Sequence, residues 1–308
     1  MTQVVLLGPQ RPEPTVGDAV RALTSDGETV GVISAGWQEA ENDLDDLSEI
    51  INRPLADLLV YARCESLLER SPELARAHHE RQATLQSLQR LYRRRLQHLI
   101  NAAVDIFEVD DTLVPLDQRH AITQVRALDR HHLQRVRAAH AAFIEETSAF
   151  DSAPRDALRA QIEQILADVS TVVITGGNVG ALMSRMRLLG LGDLLADKHI
   201  VAWSAGAMAL CERVVLYHDL APQGRRDAEL FDEGFGVVPG VVALPNARRR
   251  LDETQPTRVG LMARRLAPRR AIALDNPTQL TLAGGVLRGA VNARQLTRSG
   301  TLKAVRAR

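Results

Sequence analysis

Two short loops hold the residue types best suited to chemistry. Thr175-Gly176-Gly177-Asn178 follows the β-branched run Thr171-Val172-Val173-Ile174, and Trp203-Ser204-Ala205-Gly206-Ala207 follows His199-Ile200-Val201-Ala202. A serine between a strand and a helix, with alanine and glycine directly after it, fits a tight strained turn that lifts its hydroxyl above the end of a sheet. Small neighbours leave space for a substrate carbonyl. The helix that starts there turns its free N–H groups and the positive end of its dipole toward any oxyanion beside Ser204. Ser204 is therefore the candidate nucleophile, and the N–H groups of Gly177 and Ala205 are the candidate oxyanion hole. The simpler reading of Ser-Ala-Gly is a serine that only caps a helix.

As a set, Gly176-Gly177-Asn178, Trp203 to Ala207, Asp219 and the segment Gly236-Val237-Val238-Pro239-Gly240-Val241-Val242-Ala243-Leu244-Pro245-Asn246 resemble the peptidase E and cyanophycinase group of serine hydrolases. The resemblance spans about residues 166–290 and, more weakly, 1–37. It implies a class I glutamine-amidotransferase-like α/β fold, with short peptides or aspartyl amides as substrates. It also implies that the serine works with an acid, here Asp219, and with a histidine just after the proline of the last segment, where this chain has Asn246. An amide cannot accept the serine proton and later return it to a leaving amine. His218, beside Asp219, is the alternative base, although neighbours on a strand point to opposite faces. Arg248, Arg249 and Arg250 are either a clamp for a substrate carboxylate or the solvated start of a helix. Two functions follow: a peptidase-E-like serine hydrolase with impaired catalysis, or a non-catalytic binding or assembly protein on the same fold. A glutaminase is disfavoured, because the related enzymes use a cysteine nucleophile and the elbow here carries serine.

The 308 residues are 45% hydrophobic and have a formal net charge of zero. Such a chain can bury a substantial core, and its charge favours neither nucleic acid nor an anionic membrane as partner. Its two cysteines, Cys64 and Cys211, make neither a disulfide framework nor a metal site. The start, Met1 to Pro9, lacks the basic and apolar regions of a signal peptide, and no apolar run reaches membrane-spanning length. The expectation is a cytoplasmic protein without cofactor, acting on a small peptide-like ligand.

The elements that position the two loops read as an interrupted α/β domain. Val4 to Leu7 and Val30 to Ser34 are strands around a helix at Val16 to Leu23; strand signals then nearly vanish until Thr171. Between them, Leu85, Leu88, Tyr92, Leu96, Leu99, Ala103 and Ile106 recur at helical spacing, as do Ile122, Val125, His132, Val136, Ala139 and Phe143. The break at Asp110, Asp111 and Pro115 turns the pair into an antiparallel hairpin. The predicted architecture is a three-layer sandwich with a mostly parallel sheet, formed by 1–38 and 166–308 and interrupted by a helical insertion at 39–165. With its apolar stripe, that insertion reads as a packed structural element, a homodimer surface or a lid over the active site. Seven histidines fall in it (His78, His79, His98, His120, His131, His132, His140). The adjacent pairs diverge around a helix, which argues for packed or solvated side chains rather than metal ligands. Asp43, Asp45 and Asp46 read as a charged helix face.

Overall fold

The computed structural model describes residues 2–222 and 226–307, with the backbone alone at 226. The chain opens with β1 (Gln3–Leu7), α1 (Val16–Arg21), β2 (Val30–Ile33), α2 (Asp45–Ile51) and β3 (Leu55–Asp57). Four consecutive helices follow: α3 (Val60–Arg70), α4 (Pro72–Phe107), α5 (Val114–Thr147) and α6 (Ala153–Ala167). Alternation resumes with β4 (Thr171–Ile174), α7 (Val179–Leu188), β5 (His199–Trp203), α8 (Ala205–Leu210), β6 (Val214–His218) and β7 (Arg226–Asp232). The remainder is β8 (Val241–Pro245), α9 (Ala247–Arg250), α10 (Pro256–Leu266), β9 (Arg270–Leu274), β10 (Gln279–Ala283), β11 (Val286–Val291), β12 (Arg294–Leu296) and β13 (Leu302–Ala304).

The central sheet has seven strands in the order β11-β10-β1-β5-β4-β2-β3. The five from β1 to β3 run parallel, and β10 and β11 extend that sheet antiparallel at its other edge. Its inner strands are short β-branched runs buried along their whole length, the pattern of a parallel sheet covered on both faces. Alternation along the strands sorts the core. Val5, Leu7, Val32, Val173 and Val201 pack with α1 and α2, whereas Leu6, Ile33, Val172, Ile174 and Ile200 pack with α3, α6, α7 and α8. The later strands do not all extend this sheet: β8 and β9 pair in parallel within a second sheet completed by β12 and β13, and β6 pairs with β7 alone.

Residues 39–165 are not wholly helical. β3 is the edge strand of the central sheet, paired with β2, and Val60, Cys64 and Leu67 of α3 belong to the sheet's core. The segment that leaves the sheet is the pair α4 and α5, of 36 and 34 residues, each about 50 Å long at 1.5 Å per residue. Its two helices are antiparallel, since Arg81 lies over Phe143 while Tyr92 meets Asp129. Pro115 sits in the first turn of α5, where its missing N–H costs nothing, rather than in the break.

The apolar stripe is covered within the chain. Tyr92, Leu96 and Ile100 join Ile122, Val125 and Leu128, and the same core includes Tyr217, Leu244, Val259 and Met262. A buried ion pair locks this contact: Arg265 of α10 donates to both carboxylate oxygens of Asp129 at 2.7 Å, and the Tyr92 hydroxyl donates to Asp129 at 2.8 Å. A charge pair satisfied on this many sides is stable in place, but removing one partner strands the other.

Candidate active site

The carboxyl ends of β1, β2, β4 and β5 converge on one cavity of about 480 Å³. Open parallel sheets bind ligands in this position. Its lining includes Gln10, Trp37, Gly176, Gly177, Trp203 and Ser204. Each wall has a local cause. Gln10 turns back on its own loop: its side-chain carbonyl accepts from the N–H groups of Thr15 and Val16 at 2.8 and 2.7 Å, satisfying orphan donors at the start of α1. Trp37 sits in a short 3-10 segment, Ala35–Ala40, held at its far end by Glu41. The Glu41 carboxylate accepts from the N–H groups of Tyr61 and Ala62 at 2.8 and 2.9 Å. Burial raises the Glu41 pKa, with those backbone donors opposing it.

Ser204 separates β5 from α8 with φ 49° and ψ −112°, a positive-φ conformation that L residues rarely adopt. The side chain does not cap α8, which removes the simple capping reading. Asn178 shows what a true cap looks like: its Oδ1 accepts from Ala181 N at 3.0 Å at the start of α7. The turn is sterically closed. A Cβ at Gly206 would lie 2.4 Å from the Ile174 carbonyl, and one at Gly177 would lie 2.2 Å from the Gly36 carbonyl. An ideal Cβ on Gly176 would stand 3.2 Å from the Ser204 Cβ, so the two loops meet at the serine.

Backbone donors around Ser204 divide into used and free. Gly206 N donates to Thr175 O at 3.0 Å, and Asn178 N donates to Gly36 O at 2.7 Å. Among the described residues, the N–H groups of Gly177 and Ala205 enter no such loop or cap hydrogen bond. They remain available to an oxyanion.

The residues expected as acid and base follow strands of the two smaller sheets. Asn246 follows β8 in the left-handed region, φ 65° and ψ 36°. Its N–H donates to Leu274 O at 3.0 Å, and its carbonyl accepts from Arg249 and Arg250. Asp219 follows β6; its N–H donates to Arg250 O at 2.7 Å, and its carboxylate accepts from Asp252 N at 3.1 Å. Asp219 and Asn246 are therefore linked through α9. Neither lines the Ser204 cavity, nor does His218. The side chain of β6 that reaches the β8–α9 turn is Tyr217, whose hydroxyl donates to Pro245 O at 2.5 Å. His218 is half-buried, and its Nδ1 has no hydrogen-bond partner. In the arginine run, Arg248 N donates to Asp275 at 2.8 Å.

Burial pushes the thiols of Cys64 and Cys211 up to about 12, so neither is a nucleophile at neutral pH. Several histidines of the helical segment are packed: His78 meets Ser184, His132 stacks on Tyr92 with ring centres 4.1 Å apart, and His140 meets Asp232. Among the walls that sequence reading missed is Gln10. Gln10 precedes a helix at a spacing that no capping pattern marks.

No family model matches the chain, and no curated protein matches it. Solved structures do: the crystal structure of a peptidase from an acI-B1 Actinobacterium aligns with 100% of this chain and 95% of its own at 13% identity, with a TM-score of 0.47. A likeness of that grade carries no argument about chemistry.

Proposed function

We propose that this chain is a peptidase-E-like serine hydrolase of short peptides or aspartyl amides, built as a three-layer α/β sandwich, with Ser204 as nucleophile. The observation that carries the reading is the strained, uncapped Ser204 lining a cavity together with Gly177, the N–H groups of Gly177 and of the adjoining Ala205 entering no loop or cap hydrogen bond among the described residues. Attack by Ser204 Oγ on an amide carbonyl places the developing oxyanion against Gly177 and Ala205. Asp219 orients the base wherever one is present. The resemblance puts that base at position 246, where asparagine supplies none, so turnover is slow and rests on the oxyanion hole and binding. The domain division proposed with this reading is 1–38 and 166–308 around the insertion 39–165, whose β3 and α3 pack with the α/β part.

A fluorophosphonate probe tests the nucleophile. The expected outcome is slow labelling of the wild type that Ser204→Ala abolishes; labelling that persists in Ser204→Ala would sink the assignment. One observation favours a second reading, a non-catalytic binding protein: the residues lining the Ser204 cavity include no histidine. That reading predicts no labelling at high probe concentration by a folded wild type.

A further inference from the structure

A second cavity of about 420 Å³ lies where α4 and α5 meet the C-terminal end of α7. Arg81, Arg137, His140, Arg187, Asp232 and Glu233 line it. Most of these charges are paired. Arg187 is ion-paired with Asp232 and also donates to the Glu233 carbonyl. His140 Nε2 stands 3.2 Å from Asp232 Oδ2. Arg137 forms a two-pronged pair with Glu233 at 3.0 and 2.7 Å, and Arg213 joins it from outside the cavity. The remaining acid in the lining, Asp193, is exposed to solvent.

Arg81 is the exception. It is only 6% exposed and makes no ion pair among the described residues. Its guanidinium lies 3.9 Å over the Phe143 ring, and one Nη reaches Ser184 Oγ at 3.4 Å, a long contact. Its Nε is buried with no partner, and so is Nδ1 of His140. Burial, then the charges of Arg187 and Arg185, push its pKa down to about 10 against the opposing charge of Asp232, which still leaves it cationic at neutral pH. Asp232 acts on it only at a distance and is already paired with Arg187 and His140; a buried guanidinium with no ion pair of its own and an incomplete set of acceptors is costly, and a matching anion relieves it.

We infer that this cavity is a binding site for a small ligand bearing an oxyanion, a carboxylate or phosphate group, with Arg81 as its main counter-charge. A guanidinium pairs with such a group through its planar donors, and the Phe143 ring stacked against Arg81 fixes the plane of that fork. The cavity has room for a small metabolite around the anion. It shares no lining residue with the Ser204 cavity, and α7 spans the interval, starting beside Asn178 and ending at Leu188, about 15 Å at 1.5 Å per residue. The site is independent of whether Ser204 is catalytic.

Titration of the full chain with inorganic phosphate, and separately with acetate, in a low-chloride buffer tests this by calorimetry and by thermal unfolding. The expected result is saturable binding of one of them with a midpoint below about 10 mM, a rise in unfolding temperature, and loss of both in Arg81→Met. Ser204→Ala keeps both. The result with each anion distinguishes a phosphate from a carboxylate ligand. Ile144→Glu guards against a variant that fails to fold, because Ile144 lines the cavity yet is 67% exposed. It places a carboxylate beside the site and weakens binding by about tenfold or more. Absence of saturable binding by the wild type, or binding unchanged in either variant, would overturn the proposal.

Discussion

Ser204 and Asn246 occupy equivalent places in the fold, each the first residue after a parallel strand, each at positive φ, each leading into a short helix. Their backbones differ in ψ, and that difference separates a costly position from a cheap one. Asn246, at φ 65° and ψ 36°, is in the left-handed well that asparagine enters more readily than most residues. Ser204, at ψ −112°, lies outside that well, where only glycine is comfortable, and its side chain makes no cap that repays the strain. The carbonyls of Ile174 and Gly36, closing on Gly206 and Gly177, hold the turn in place. At Ser204 strain is retained; at Asn246 residue and backbone agree.

The largest effect expected from this contrast is a gain of function. Histidine also tolerates the left-handed well, so Asn246→His fits the backbone and supplies a base that Asp219 can orient. General-base assistance is worth about 100- to 10,000-fold. Hydrolysis of small aspartyl peptides by Asn246→His is expected to rise within that range, and the further change Asp219→Asn to remove most of the gain. A folded Asn246→His protein no faster than the parent would show that position 246 is not the base position. His218→Ala is expected to leave the parent rate unchanged, since Tyr217 is the β6 side chain that reaches the β8–α9 turn.

A smaller effect concerns stability. Ser204→Gly relieves the strain and is expected to raise unfolding free energy by about 1 to 3 kcal/mol, measured by urea denaturation, while abolishing probe labelling. Asn246→Gly is expected to change stability by less than about 1 kcal/mol, because asparagine already suits that backbone. Equal effects at the two sites would erase the contrast.

The smallest effect is a pH dependence on the nucleophile side. Burial raises the pKa of Glu41 in the folded chain above its ordinary value of 4.5. The folded state therefore holds its proton more tightly than the unfolded state. This contribution to stability is fully present below the unfolded pKa and is lost as pH rises through the folded one. Glu41→Gln is expected to flatten that part of the stability profile; an unchanged profile would assign it to another group.

Much of this was legible in the chain, element by element. The β-branched runs at 171–174 and 199–203 announce buried strands because little but a covered parallel sheet accepts such stretches. The stripes of α4 and α5 announce a packed hairpin through their helical spacing. β3 was hidden: Leu55–Asp57 is three half-buried residues with neither alternation nor apolar length. β12 was hidden by the same shortness and β7 by its charged residues, which include the buried Glu229 and Asp232, and the division into several sheets depends on pairings between segments far apart in the chain.

What the sequence determined by itself is the residue chemistry: a serine with small neighbours after a strand, a glycine pair after another, and an amide where the resemblance expects a histidine. Those are properties of single side chains and short runs, and they do not depend on distant packing. Only the tertiary structure decided that the Ser204 hydroxyl is not spent on a cap, that the hairpin's stripe is covered by α10 and β8 of its own chain, and that Arg81 is buried without an ion pair among the described residues. Each of these turns on which groups meet across long stretches of sequence. Such meetings are set by the shared burial of many side chains, which no local pattern records.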